Sequence, residues 1–411
     1  MNYKININYN TKSVEPILEL YKGKLFSYII NSFTNECINS FGTNIFSIKK
    51  SYYRTLTNLF SSWIFTLYST YDFQDDYFFP TNYENTESLE YTLRDLCKFD
   101  KNIMDIDKKI NYVITKLKNN YKNQLKQLYN YRESLLYKNN INNYNINKIL
   151  ININNDKTFY KLEITVSFII KDKRLQNILN NILIPVHIHD KLYKKYTGPK
   201  NKFNDYLWAI IFRYQLLGSN NHQLAVLPNI MKEMNKDYEL NFECFASAIN
   251  STFVNYCSIY YDLEQYFGSI GSFFNITPIK GTFGFNPPYQ KQIIELGINK
   301  IFNFLNSEKK LVFIITIPIW DNEGKDEMKK LYNNEFKKQN IDYGEFDIIN
   351  NIKESKYFRG LRMICKNNFT YVDHNFELYK NKTIQNTYVI ILSNKDVNLD
   401  CLNKYDFENI I

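Results

Sequence analysis

The stretch GTFGFNPPYQKQIIELGINKIFNFL, residues 281–305, reads as strand, stiff turn and helix in immediate succession. Residues 281–285 are apolar and of strand length. Pro287 and Pro288 then fix φ and remove two backbone donors, which stops the strand. Residues 290–305 carry helical periodicity. Outward from this stretch, apolar runs of strand length recur at residues 240–245, 311–319 and 387–392, and helices are suggested at 206–217, 251–260 and 326–339. Strands alternating with helices predict a mostly parallel α/β sheet. Such sheets bind ligands beyond the carboxyl ends of their strands, where the chemical motifs of this chain sit.

The N-terminal region has another texture. Residues 17–33 and 52–68 repeat apolar and aromatic side chains at three- and four-residue spacing, and 105–137 does so with more charge, as an amphipathic helix would. The Asn-rich, low-complexity stretch NNINNYNINKILININN, residues 139–155, has the composition of a loop. Residues 159–170 alternate as a strand. In IPVHIHD, His187 and His189 would share one polar strand face, and two imidazoles are too few for a closed metal site. After the turn signal TGPKNK the texture changes, which divides the chain into a mainly helical domain, 1–200, and an α/β domain, 201–411.

Composition bounds the rest. The chain has 411 residues, enough for two cores, and 44% hydrophobic residues exclude general disorder. A net charge of +9 suits an anionic partner, but Asn, Lys, Ile and Tyr are over-used throughout, as an AT-rich coding bias produces. Cys37, Cys97, Cys244, Cys257, Cys365 and Cys401 are widely spaced without a CxxC pair, so neither a metal nor a disulfide framework is expected. The start MNYKININYN lacks a signal-peptide pattern, and the longest apolar run, 311–320, is half the length of a membrane span. The expectation is a soluble intracellular protein with no membrane partner.

Asn286-Pro287-Pro288-Tyr289 carries the sharpest chemistry. The exocyclic amine of adenine is a poor nucleophile because its lone pair is delocalised into the ring. An Asn carboxamide oxygen and a prolyl carbonyl can both accept hydrogen bonds from that amine, draw it towards tetrahedral geometry and aim its lone pair at an electrophilic methyl. Tyr289 offers a flat face to a base. The bland alternative is a helix-starting turn with Pro after an Asn cap. A second segment, FECFASAIN (242–250), puts small residues at 246–248 where a nucleotide-binding sheet holds its cofactor, so that backbone N–H groups could approach a ligand. A third, YFGSIGSFF (266–274), has two glycines in a polar turn and could equally be a hairpin.

In this order, followed by LVFIITIPIWDN (311–322) and RMICKNN (362–368), the segments resemble the catalytic region of the cap-specific adenosine-N6 methyltransferases, the phosphorylated CTD-interacting factor family. IPVHIHDKLYKKY (184–196) and FRYQLLG (212–218) resemble further pieces. The resemblance covers roughly residues 184–395. It implies a Rossmann-like class I methyltransferase core with an N-terminal mainly helical domain. It also implies S-adenosyl-L-methionine as cofactor and, as substrate, N6 of the (2′-O-methyl)adenosine beside the 7-methylguanosine cap of mRNA.

Carried over residue by residue, Asn286, Pro287, Pro288 and Tyr289 match the catalytic motif. Glu243, Phe245, Ala246, Ser247 and Asn250 match the cofactor-side turn, and Phe267, Gly268 and Ser269 match a second cofactor loop. Arg213 and Gln215 are expected near the pocket or in a buried structural pairing. Lys194 and Lys195, within the basic stretch 191–202, and Arg359 and Arg362, within 356–362, are candidate phosphate contacts or solvated faces. The chain departs from the family in carrying NPPY for NPPF and Ala248 for a proline. Trp63, Trp208 and Trp320 are too dispersed for a WW module, which puts binding to RNA polymerase tails in doubt. Coding bias and the lack of that module suit a viral or protist member. Adenine methylation of DNA or uncapped RNA, glutamine methylation in proteins, and a catalytically silent cap-binding homologue remain alternatives.

Overall fold

The computed structural model describes residues 3–5, 15–42, 52–70, 77–97, 103–138, 144–153, 157–167, 170–218, 223–331, 347–374, 380–382 and 385–407. It is a mixed α/β structure with a helical N-terminal region and a multi-stranded sheet. Two compact units form: Tyr9–Asn220 with Ile259–Phe267, and Asn221–Ser258 with Gly268–Ile411 and the N-terminal Met1–Asn8.

In the first unit the helical periodicities become the helices Pro16–Phe41, Tyr52–Thr70, Glu87–Cys97 and Ile106–Lys138. Their core is largely aromatic, with Phe26 set edge-on to Phe60 at 5.5 Å and Trp63 edge-on to Tyr121 at 6.2 Å. The helix Phe203–Leu217 is buried almost all round, as its nearly continuous apolar sequence requires. Two expectations fail here. The Asn-rich stretch is not a loop over its central residues: Tyr144–Ile153 pairs antiparallel with Lys157–Val166 in unbroken register. Its recurring isoleucines favour a strand whatever the composition between them, and residues 139–143 and 154–155 lie outside the described residues. Nor is IPVHIHD a strand beyond Leu183–Pro185, because Val186–Lys195 is a helix burying Ile188 and Leu192 four residues apart. His187 and His189 therefore do not share a face; His189 packs against Tyr160 and Phe203 and binds Asp190.

The second unit is built on a six-stranded sheet. Its strands are β1 (Leu240–Glu243), β2 (Asn255–Tyr256), β3 (Gly281–Phe285), β4 (Leu311–Pro318), β5 (Phe358–Ile364) and β6 (Thr387–Ser393), in spatial order β5-β6-β4-β3-β1-β2. The pairs β1–β2, β1–β3 and β3–β4 are parallel; β6 runs antiparallel to both β4 and β5. All eight residues of β4 are buried, as a central strand covered on both faces demands. Phe313, Ile315 and Ile317 enter the core on one face with Phe283 and Ile298, while Val312 and Ile314 enter the other with Met231 and Ile391. Against the first face lies the helix Lys291–Leu305, where a Cβ on Gly297 would stand 2.4 Å from the Phe285 ring. Glycine is what lets this helix approach the end of β3.

The helix expected at 251–260 is absent. The Glu243 carboxylate takes the N–H groups of Thr252 and Phe253, both at 2.8 Å, and Asn250 Oδ1 takes that of Ser247 at 2.6 Å. Side chains that capture local backbone donors compete with a helical ladder, and the chain instead forms β2. The helix expected at 326–339 starts earlier, as Asn322–Leu331, and residues 332–339 lie outside the described residues.

Candidate functional site

From β1 the chain passes to β2 on one side, while β3 lies on the other. The order of the parallel strands reverses at this point, which opens a crevice beyond the carboxyl ends of β1 and β3. Glu243, the last residue of β1, pairs in register with Gly284, two residues before Asn286. A pocket with about 440 Å³ of empty space, part of it open to solvent, lies here. Glu243, Phe245, Asn250 and Asn286 line it together with Met231, Ile314 and Thr316. Glu243 is the charged group of the lining.

The structure thus brings both principal sequence motifs to one cavity. Asn286 is half-buried, and among the described residues its carboxamide has no hydrogen-bond partner. The Pro288 carbonyl accepts the Gln290 N–H at 2.7 Å, in a tight turn just before the helix Lys291–Leu305. No hydrogen bond to the Pro287 carbonyl occurs among the described residues. Tyr289 is held from behind: its hydroxyl meets that of Tyr371, which also contacts Thr387 Oγ1 at 3.2 Å. Burial and the neighbouring Tyr371 raise the Tyr289 phenol well above the ordinary tyrosine range, so it stays protonated. The hydroxyl that distinguishes Tyr from Phe is spent on fixing the turn.

The cofactor-side turn is differently built from the sequence expectation. The Ala246 N–H binds the Cys257 carbonyl at 2.9 Å and the Ser247 N–H binds Asn250, so neither is open to a ligand. Phe267 is wholly buried beside Tyr196 at 4.9 Å, in the core of the helical unit. Gly268 adopts φ +104°, a conformation that requires glycine, and Ser269 Oγ meets Ser258 Oγ at 2.7 Å.

None of the expected substrate residues is among those lining this pocket. Arg213 is buried in the helical unit, where it binds Glu19 through Nε at 2.7 Å and Asp262 through Nη2 at 2.7 Å. Burial alone would raise the Glu19 carboxyl, but Arg213 and Lys22 hold it at about 2. Gln215 donates to the Asn181 carbonyl at 2.8 Å. Lys194 is exposed and Lys195 half-buried on the helix Val186–Lys195. Arg359 donates to the Lys356 carbonyl at 2.9 Å, and Arg362 to that of Tyr405 at 2.7 Å, so both tie the chain to itself. Pocket residues that sequence reasoning missed include Leu224, Met231 and Ile314; ordinary apolar side chains carry no signal of a site. Among the described residues no cluster of His, Cys, Asp and Glu could hold a metal ion, and no helix is long and apolar enough to cross a membrane.

The family model described as the phosphorylated CTD interacting factor 1 WW domain matches residues 188–360. Over these residues the chain resembles that family. A mouse protein named mRNA (2′-O-methyladenosine-N(6)-)-methyltransferase is 27% identical over 200 residues, and its human counterpart of the same name is 26% identical over 200. Each match covers 47% of this chain and 26% of the relative, so the chain spans about a quarter of the length of the curated relatives it matches. The family match contains the strand ends of β1 and β3, the glycine loop and the NPPY turn, and stops short of Arg362.

Proposed function

We propose that this chain is an S-adenosylmethionine-dependent methyltransferase acting on N6 of the (2′-O-methyl)adenosine next to the 7-methylguanosine cap of mRNA, on a Rossmann-like class I core. The carrying observation is the Asn286 carboxamide, without a hydrogen-bond partner among the described residues, half-buried just after β3 and lining one pocket with Glu243 at the end of β1. The strand order with its reversal between β1 and β3 supports the fold reading. The names of the relatives support the substrate.

The pocket suits the cofactor: apolar walls for a purine and one carboxylate, Glu243, for a cationic ligand. When bound, S-adenosylmethionine supplies an electrophilic methyl group on a sulfonium sulfur. Asn286 Oδ1 and the Pro287 carbonyl accept the two N–H bonds of the target amine and orient its lone pair. Among the described residues neither oxygen is held in a hydrogen bond that would have to break first. Tyr289, its hydroxyl anchored to Tyr371, presents a ring of fixed orientation to the base.

The test is mass spectrometry of RNA incubated with protein and cofactor, comparing capped RNA beginning with adenosine, the same RNA uncapped, and duplex DNA. Methylation of the capped adenosine alone is expected. Asn286→Ala should lower turnover by roughly a hundredfold or more, the usual consequence of losing one such oriented hydrogen bond, while cofactor binding persists. Equal methylation of uncapped RNA would remove the cap requirement, and near-normal turnover of the variant would make NPPY a structural turn.

A further inference from the structure

The strand β4 reads LVFIITIP over residues 311–318, and every one of its residues is buried. Thr316 is its one polar side chain, at 5% exposure, and it lines the pocket. Among the described residues its hydroxyl makes no hydrogen bond. Valine has the same shape and would bury no hydroxyl there. A buried hydroxyl without a partner is destabilising until a partner arrives. The neighbour of Thr316 across the sheet is Asn286. β3 and β4 run parallel with Phe285 opposite Ile315, and both of those side chains enter the core on the other face. Side chains alternate along a strand, and a residue before proline stays extended. The next pair, Asn286 and Thr316, therefore turns together to the pocket, on chains about 4.8 Å apart.

The polar side chains that line the pocket are Glu243, Asn250, Asn286 and Thr316. Glu243 Oε2 accepts two backbone N–H groups and Asn250 Oδ1 accepts that of Ser247. Asn286 and Thr316 are the two that make no hydrogen bond to the protein among the described residues. With Asn286 accepting from the target amine, the group beside it meets the adjoining edge of the same base. In adenine the amine is flanked by the ring nitrogens N1 and N7, both acceptors. A hydroxyl can donate to such a nitrogen, which a carboxamide oxygen cannot. We infer that Thr316 Oγ1 donates to the ring nitrogen beside the target amine, an inference that rests on the methyltransferase reading above. Asn286 then holds the amine and Thr316 the ring edge, and the two contacts together fix the base in its plane.

The test compares wild type, Thr316→Val and Thr316→Ser on capped RNA beginning with adenosine, 1-deazaadenosine or 7-deazaadenosine, with S-adenosylhomocysteine binding followed by calorimetry. On adenosine, Thr316→Val should lower kcat/KM about fivefold, the worth of one neutral hydrogen bond. Thr316→Ser, which keeps the hydroxyl, should recover most of that loss. On the deaza base that lacks the contacted nitrogen, Thr316→Val and wild type should be equal, while on the other the gap remains. Comparing variant with wild type on each base cancels the change in amine reactivity that a deaza ring brings. S-adenosylhomocysteine should bind all three proteins alike. Undiminished kcat/KM of Thr316→Val on adenosine overturns the inference. So does an equal loss on all three bases, which would mean that Thr316 only shapes the pocket. Weakened S-adenosylhomocysteine binding in Thr316→Val overturns it too, by assigning the hydroxyl to the cofactor. Wild-type protein inactive on every one of these RNAs would remove the methyltransferase reading beneath it.

Discussion

Replacing Arg213 by methionine separates a structural from a substrate role for this residue. Arg213 is 1% exposed and neutralises two carboxylates, Glu19 and Asp262. Removing one partner of such a buried network typically costs about 3–5 kcal/mol, because the charges left behind cannot be solvated. The Glu19 carboxyl points the same way: Arg213, with Lys22 beside it, holds it at about 2 against the effect of burial, a depression from 4.5 worth roughly 3 kcal/mol at about 1.4 kcal/mol per pH unit and shared between the two cations. For a depressed carboxylate this stability is present above the unfolded value and lost as pH falls towards the folded one. Asp262 works the other way. Burial outweighs Arg213 and raises its carboxyl, so its ionisation costs stability at neutral pH and the cost is relieved in acid. The net expectation for Arg213→Met is a loss of about 3 kcal/mol at pH 7, shrinking as pH is lowered to about 4 and the abandoned carboxyls take up protons. Urea unfolding followed by tryptophan fluorescence measures it, since Trp63 and Trp208 are both buried in the helical unit. A loss below about 1 kcal/mol at pH 7, or a loss independent of pH, would refute the reasoning. A variant of normal stability that failed to bind RNA would return Arg213 to the substrate site.

Tyr289→Phe removes the hydroxyl contact with Tyr371 but leaves Tyr371 bonded to Thr387, so a stability loss of about 1 kcal/mol is expected. Methyl transfer should stay within a few-fold of wild type in a single-turnover assay; a hundredfold loss would make the phenol itself catalytic. Gly297→Ala places a methyl 2.4 Å from the ring of Phe285, the residue before Asn286. It should destabilise by about 1–3 kcal/mol in thermal unfolding and reduce turnover by displacing the end of β3; an unchanged melting temperature would show that the helix shifts freely.

Much of the α/β unit was legible because its signals are local. An all-apolar run of strand length could only be an inner strand, and β4 is one, buried at every position. Two prolines after residues 281–285 end that strand under any tertiary arrangement, and the apolar spacing of residues 291–305 forms a helix without help from distant residues. The misreadings have the opposite cause. Asn-rich composition concealed the strand Tyr144–Ile153, whose fate was decided by its partner Lys157–Val166. Alternating histidines suggested a strand where packing of Ile188 and Leu192 made a helix. At 251–260, helical propensity yielded to Glu243, a side chain nine residues away from the N–H it takes from Thr252. The site divides in the same way. NPPY and FECFASAIN name their residue types, because the chemistry needs an amide, prolines and an aromatic ring in fixed local order. That Arg213 finds Glu19 across 194 residues is set by chain separations no local pattern encodes. The same holds for a pocket that gathers residues 224 to 316. Local sequence selects backbone states and chemical groups; only the closing of long loops during folding decides which of those groups meet.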